Sequence, residues 1–588
     1  MDYGKTLHLP ATEFPMRGNL PKREPEYLKF WEDNKIYEKR LELRKGNKSF
    51  VLHDGPPYAN GKLHIGHALN KTLKDIIMKY KTMQGYYTPY IPGWDTHGLP
   101  IEHAIIKNTG LNRHEMSPLD LRAKCKEYAL QCVEEQKKDF IRFGVLGRFE
   151  DPYLTLKPAF EVKQLGIFGE MAKRGYIYKG LKTVYWCTHC ETALAEAEIE
   201  YHEKKSFSIY VKYAYVDEVK RTLPENVDPA KAYAVIWTTT PWTLPASQAI
   251  SVNPDLEYAW VQVGDEYYLM AVELVESAMK DAQVEDYKVV KTFPGSDLEL
   301  ATFKHPFVNR EVKVLLGDHV TLEAGTGCVH TAPAHGEEDF GIFQKYNKEG
   351  KINTEILSFV NATGNYVAAV DNDRYGDTEE MLAGKEIHEA EVPILKILAH
   401  NGALLHKGTL RHQYAHCWRC KNPVIYRATE QWFSSVDGYR KAALDVIDNQ
   451  VQWIPKWGHD RIYNMIADRG DWVISRQRVW GVPIPVFYCD SCGDYVVNDD
   501  TIKSVQAWVA KEGSDAWWNH TAKELLPEGF TCPHCGHGEF HKETDIMDVW
   551  FDSGSSWAGV LENEGLDVPC AMYLEGSDQH RGWFNSSL

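Results

Sequence analysis

Apolar residues recur at helical spacing over Leu69, Leu73, Ile76, Ile77 and Tyr80, directly after a stretch in which Gly55, Pro56, Pro57 and Gly61 forbid regular structure. The pattern predicts a helix whose first turn holds His64, Gly66 and His67, fed by Ser49-Phe50-Val51-Leu52 as a short buried strand. Upstream, residues from about 20 to 45 read as a charged helix. From about 110 to 178 the pattern is again helical, with Leu119, Leu121, Tyr128 and Phe140 among its apolar positions. The texture then changes. From about 206 to 394 short β-branched and aromatic runs such as Ala234-Val235-Ile236-Trp237, Tyr258-Ala259-Trp260-Val261 and Val312-Lys313-Val314-Leu315 alternate with turn residues. An α/β unit interrupted by a mainly β insertion is the expected organisation; no repeat or low-complexity linker breaks it.

Composition sharpens this only slightly. A chain of 588 residues has room for several domains. Its 66 basic and 83 acidic residues leave a net charge of −17, which argues against a general nucleic-acid binder and confines any RNA contact to local basic patches. No apolar run reaches membrane-span length, and Met1-Asp2-Tyr3-Gly4-Lys5 lacks the apolar core of a signal peptide, so no membrane partner and a cytoplasmic location are expected.

Chemistry concentrates at the helix start. Unpaired N–H groups and the positive end of the helix dipole favour anions, and two imidazoles one turn apart can donate to phosphate oxygens. Gly66 lies between them, where a ligand could come close. A lone first-turn histidine would be read as a cap; the pair, with its rigid glycine-proline approach, points to phosphate handling.

Eight of the 12 cysteines form four Cys-x-x-Cys pairs: Cys187/Cys190, Cys417/Cys420, Cys489/Cys492 and Cys532/Cys535. This is zinc spacing, against the alternative of reduced, metal-free thiols. The last two pairs each end in a glycine and are assigned one zinc ribbon. The first two can share an ion only if the stretch between them is an insertion with adjacent ends. Cys125 and Cys132, seven apart, read as core residues, and Cys328 and Cys570 as inert.

At His64-Ile65-Gly66-His67 the chain resembles the class I aminoacyl-tRNA synthetases. The flanks Asp54-Gly55-Pro56-Pro57-Tyr58-Ala59-Asn60-Gly61, Ala68-Leu69-Asn70-Lys71 and Gly93-Trp94-Asp95-Thr96-His97-Gly98-Leu99-Pro100 resemble the isoleucyl branch. Valyl enzymes, the runner-up, typically carry Asn-Val-Thr-Gly in place of Tyr58-Ala59-Asn60-Gly61. The resemblance implies ATP, magnesium and zinc as cofactors, isoleucine and tRNA(Ile) as partners, and a monomer. It implies that His64 and His67 act on the phosphates and that Asp95 pairs with the amino-acid ammonium. It places Glu575 and Gln579 at the aminoacyl adenylate, Gly576 and Asp578 near the nucleotide, and Pro57, Trp550 and Trp583 around the amino acid. For both tryptophans, simple burial is the competing reading. Ser475-Arg476-Gln477-Arg478 resembles a motif near the tRNA acceptor end, with arginines that could pair with phosphate or with protein carboxylates.

Within the inserted region, Thr238-Thr239-Thr240-Pro241-Trp242-Thr243 and the run from Gly325 through His330 to Asp339 resemble the editing domain of these enzymes. By that resemblance Thr238, Thr239, Thr240, His330 and Asp339 line a hydrolytic pocket, with Ser247 standing where asparagine is expected. Such a pocket answers a physical limit. One methylene is worth only about 1–3 kcal/mol in an apolar site, a figure for which isoleucyl-tRNA synthetases are themselves the standard example, so valine needs a second rejection.

The resemblance implies a class I Rossmann-type parallel-sheet nucleotide-binding fold interrupted by a mainly β editing insertion, plus a zinc ribbon. The boundaries are a helical extension over 1–45, the first half of the catalytic domain over 46–200, the insertion over 201–395, and the second half over 396–588 with the ribbon around 489–540. The class's second signature, Lys-Met-Ser-Lys-Ser, is absent, as are the anticodon-binding and C-terminal regions, so the chain reads as the N-terminal part of a longer protein. The reading from another class is a catalytically silent zinc-bearing RNA-binding or regulatory relative. Unaltered His64, His67, Asp95 and Asp339, and the negative charge, weigh against it.

Overall fold

Parallel strand pairs joined by helices form the framework around the histidine motif. A computed structural model describes residues 3–8, 10, 18–217, 222–376 and 378–588, so Met1 and Asp2 of the stretch read for a signal peptide lie outside the described residues. The chain divides into two compact units, one of residues 1–174, 440–469 and 478–588, the other of 175–439 and 470–477. No helix among the described residues is long and apolar enough to cross a membrane.

In the first unit the expected charged helix is two, α1 (Leu20–Asp33) and α2 (Ile36–Arg44), broken where Lys35 adopts φ 48°. Strand Leu52–His53 runs parallel to Met572–Tyr573, and Gly93–Trp94 parallel to Tyr153–Leu154. The last of these strands interrupts the helical stretch expected from 110 to 178. Leu52, Met78, Trp94, Ile101, Phe140 and Trp480 share one core, and Cys125 and Cys132 lie in it as read. A three-stranded ribbon of Phe487–Cys489, Tyr495–Val496 and Phe540–Lys542 carries the last two cysteine pairs.

Helix α3 (Ile65–Met83) follows the turn as expected, but its polarity is inverted. Ile65, Leu69, Leu73, Ile76 and Tyr80 are exposed, Leu69 by 62% and Ile76 by 56%, whereas Lys71, Lys74, Asp75 and Met78 are buried. The helical period is right and the buried face is the charged one.

The second unit is built on a sheet of ten strands among the described residues. Its long strand Ile199–Tyr215 pairs antiparallel with Ala232–Thr238 and with Leu404–Cys417, while Glu311–Leu316 runs parallel to Ala249–Val252. The three β runs read from the sequence lie in Ala232–Thr238, Glu257–Val263 and Glu311–Leu316. Ile209, Val211, Tyr213, Ile236, Trp260 and Phe303 fill its interior. A four-stranded sheet of 472–473, 425–434, 177–187 and 192–194 completes the unit.

Candidate functional sites

The two histidines cap their own helix. His64 Nδ1 accepts the Gly66 N–H at 3.0 Å, and His67 Nδ1 accepts the His64 N–H at 3.2 Å. With both Nδ1 atoms accepting, the neutral rings carry their protons on Nε2, which leaves two N–H donors for a ligand. Burial, then the neighbouring His64, push the His67 imidazole down to about 4, so it is neutral at physiological pH. His64 and Gly66 are exposed and His67 half-buried.

Asp95 is built into the first unit through its backbone. Its N–H donates to Pro57 O at 2.9 Å and its carbonyl accepts from Ala59 N at 2.9 Å, so Pro57 and Asp95 are fixed side by side. The Asp95 side chain is buried; Oδ2 accepts from Ser553 Oγ at 2.6 Å, and Oδ1 has no hydrogen-bond partner among the described residues. Burial holds its carboxyl well above the usual range, Ser553 opposes this, and Asp552 and Asp548 add to it. Ser553 lies on helix Val549–Gly554, which also carries Trp550. Trp550 meets the ring of Tyr58 edge-on at 6.1 Å, and Trp583 stacks on Tyr573 at 4.1 Å while donating to Ser553 O at 3.0 Å. Both tryptophans are buried, Trp550 against Tyr58 and Trp583 against Gly55, in the turn whose Pro57 and Ala59 bond Asp95.

The other end of the site is the turn after Met572–Tyr573. Glu575 Oε1 accepts the Gly55 N–H at 3.0 Å and Oε2 accepts Asn70 Nδ2 at 2.8 Å. A Cβ on Gly55 would lie 2.4 Å from Glu575 Oε1, so only glycine allows this approach. Gln579 Oε1 accepts the Trp583 N–H at 2.9 Å, and Gln579 Nε2 donates to Asp578 at 3.3 Å. Gly576 and Asp578 are exposed at the mouth of the turn. His64, Gly66, His67, Pro57, Asp95, Trp550, Glu575, Gly576, Asp578, Gln579 and Trp583 thus belong to one connected framework. Sequence reasoning assigned no role to Asp54, which follows strand Leu52–His53, or to Asn70, Lys71 and Lys74 on α3, which jointly tie that framework together; the first three were quoted only within the flanking motifs, and polar spacing along α3 was the remaining signal.

The two arginines open to either reading both pair with protein carboxylates. Arg476 donates to Glu198 at 2.7 Å, and Arg478 lies 3.6 Å from Glu102; all four side chains are buried.

In the second unit, Thr238 ends a strand and Thr240 folds back on it, its N–H donating to Thr238 Oγ1 at 3.1 Å. Thr243 Oγ1 donates to Thr240 O at 2.8 Å and lies 3.2 Å from His330 Nε2. Thr238, Thr240 and His330 are therefore joined through Thr243, a residue the sequence reading quoted but did not assign. Thr239 sits half-buried beside them. Burial, then His335, push the His330 imidazole down to about 4. Asp339, in the first turn of helix Glu337–Lys348, accepts the Ala332 N–H at 2.8 Å. Burial, opposed by that N–H and reinforced by Glu338, pushes its carboxyl up to about 7. Ser247 is committed elsewhere: it is buried and bonded to the Tyr213 hydroxyl at 3.1 Å.

Both cysteine sets gather, and the intervening insertion does return its ends. Within each set all four sulfurs lie within 4.8 Å of one another. Cys187 and Cys420 are 3.5 Å apart, Cys489 and Cys535 3.5 Å, and Cys492 and Cys532 3.7 Å. A tetrahedral ion with Zn–S bonds of about 2.3 Å places sulfurs about 3.8 Å apart, so both sets fit one. Each pair is followed by a left-handed residue: Gly493 and Gly536 in the ribbon, Glu191 and Lys421 in the split set. The last two adopt that conformation without glycine, which costs about 1–2 kcal/mol each.

The family described as tRNA synthetases class I (I, L, M and V) matches residues 26–588, and the chain belongs to it. Within that family it is similar to isoleucine-tRNA ligases: 57% identical to that of Caldicellulosiruptor saccharolyticus over all of this chain and 62% of the relative, 57% to that of Moorella thermoacetica over 61% of it, and 54% to that of Thermoanaerobacter pseudethanolicus over 61%. The chain thus spans about three fifths of the length of these relatives. Among solved structures it is similar to the ternary complex of Agrobacterium radiobacter LeuRS with tRNA and LeuAMS, at 16% identity and a TM-score of 0.41, over 97% of this chain and 64% of that one.

Proposed function

We propose that the first unit binds isoleucine and ATP and forms isoleucyl adenylate for transfer to tRNA(Ile), and that the second hydrolyses valine misattached to that tRNA. The observation that carries the first half is Asp95: a buried carboxylate with one bonded oxygen and one open one, beside Pro57, Trp550 and Trp583. An ammonium is the ligand that a buried carboxylate with an open lone pair recognises, and the apolar walls suit a branched side chain. The isoleucine carboxylate attacks the α-phosphate and pyrophosphate leaves. His64 and His67 donate from Nε2 to phosphate oxygens at the helix N-terminus, so the protein supplies positioning and charge stabilisation. Magnesium would arrive with ATP and neutralise phosphate charge. The two cysteine sets would each hold a structural zinc that rigidifies its own unit.

For the second half, a neutral His330, the Thr238–Thr240–Thr243 hydroxyls and an ionisable Asp339 support a pocket that orients a water and holds a substrate ammonium. The test is calorimetry with isoleucine, valine and alanine, beside Asp95→Asn, together with hydrolysis of Val-tRNA(Ile) and Ile-tRNA(Ile). Isoleucine should bind about 10- to 200-fold tighter than valine, Asp95→Asn should abolish that binding, and only the valyl ester should be cleaved. Equal affinity for all three amino acids would sink the reading of the first unit, and equal cleavage of both esters that of the second.

A further inference from the structure

Two lysines with no assigned role lie fully buried beneath the adenylate framework. Lys74 and Asp54 are 0% exposed and Lys71 is 2% exposed. Lys74 Nζ donates to Asp54 Oδ1 at 2.7 Å and to Glu575 Oε1 at 2.5 Å. Lys71 Nζ donates to Asp54 Oδ2, which also accepts the Gly93 N–H at 3.1 Å, and Tyr90 OH donates to Asp54 Oδ1 at 2.8 Å. Ionised, the four groups sum to zero charge, the condition under which such a cluster survives burial. Asn70, one turn before Lys74, takes the other Glu575 oxygen and also donates to Leu574 O at 3.2 Å.

The spacing gives this cluster a direction. His67, Asn70, Lys71 and Lys74 occupy positions i, i+3, i+4 and i+7, so they share one face of α3. That face therefore carries a phosphate-directed imidazole in its first turn and, further down, the groups that grip Glu575. Because the helix is rigid, the Lys74–Glu575 and Asn70–Glu575 contacts fix how far His67 stands from the turn that holds Gly576 and Gln579. We propose that Lys74, with Asn70, is a positioning residue for the adenylate. It sets the distance between the phosphate-binding helix start and the Glu575 turn, 501 residues later in the chain, without touching the ligand.

This inference rests on the adenylate reading of the first unit, and its test separates the two. A non-hydrolysable isoleucyl-adenylate analogue bridges both ends of the framework, whereas isoleucine alone engages only the Asp95 end. In calorimetry, Lys74→Met should weaken the analogue by about 30-fold or more, the loss expected when a buried charge pair is broken, while isoleucine stays within about twofold. Lys74→Arg should return analogue binding to within about fivefold of the unaltered chain by restoring the charge. Asn70→Ala removes no charge and guards against misfolding of the lysine variant; it should weaken the analogue by about tenfold and spare isoleucine. Analogue affinity unchanged in both variants, or analogue and isoleucine lost by the same factor in both, overturns the positioning role. An unaltered chain that binds neither ligand overturns the adenylate reading itself.

Discussion

The carboxyl of Asp339 supplies a test with a worked magnitude. Burial, opposed by the Ala332 N–H and aided by Glu338, raises it from 3.8 to about 7. About a tenth of the carboxyls are then ionised at pH 6 and about nine tenths at pH 8. If the ionised form holds the substrate ammonium, its contribution to hydrolysis of Val-tRNA(Ile) rises about tenfold over those two pH units. The substrate amine and spontaneous ester hydrolysis also respond to pH. The quantity to plot is therefore the ratio of kcat/KM for the unaltered chain to that of Asp339→Asn, in which both effects cancel. The variant keeps an oxygen for the Ala332 N–H and removes only the charge. The same ionisation acts on stability. A carboxyl raised in the fold favours the folded state below its unfolded value near 3.8, and that advantage is lost as pH rises through 7. The difference amounts to about 4 kcal/mol, absent in the variant. A ratio that stays constant from pH 5.5 to 8.5, or that turns over below pH 5, would refute the reasoning.

Three further outcomes are expected. Purified chain should carry two zinc ions by elemental analysis, falling to one in Cys492→Ser, which opens only the ribbon set; two ions retained in that variant would contradict the assignment. Arg122 is 2% exposed and bonds Val479 O, Gly481 O, Ser514 and Asp515, so Arg122→Met should destabilise the first unit by about 3–5 kcal/mol in denaturant unfolding; a shift below 1 kcal/mol would show the network to be dispensable. Isoleucine binding should tighten as pH rises, because Asp95 is held above the usual carboxyl range and must release its proton to receive an ammonium; calorimetry in two buffers of different ionisation enthalpy should register that proton, and no buffer dependence would rule it out.

What could be read from the chain alone was local. The start of α3 is legible because Gly55, Pro56, Pro57 and Gly61 leave no alternative, and the ribbon because Gly493 and Gly536 stand where its turns need left-handed residues. The burial of α3 was not. Periodicity points Leu69, Leu73 and Ile76 inward, but burial follows the partners available, and those of Lys71 and Lys74 are Asp54, a strand away, and Glu575, at the far end of the chain. The arginines of Ser475-Arg476-Gln477-Arg478 were undecided for the same reason: Glu198 and Glu102 lie hundreds of residues before them. Thr243 was quoted without a role because a hydroxyl's role depends on the histidine it meets, here His330 on a later strand.

The contact between Gly55 and Glu575 spans 520 residues, and it bears on synthesis as well as on geometry. At about 5–20 residues per second, roughly half a minute to two minutes separate the emergence of α3 from that of its acidic partner. During that interval Lys74 has Asp54 but not Glu575, and the strand Leu52–His53 lacks the neighbour Met572–Tyr573. The intervening second unit, with its own core and its own cysteine set, emerges and can complete itself in the gap. The Lys74–Glu575 pair and the pairing of Leu52–His53 with Met572–Tyr573 therefore form only after residues 572–575 have emerged. A chain stopped before residue 572 would leave Lys74 with Asp54 alone and the strand Leu52–His53 without its parallel neighbour.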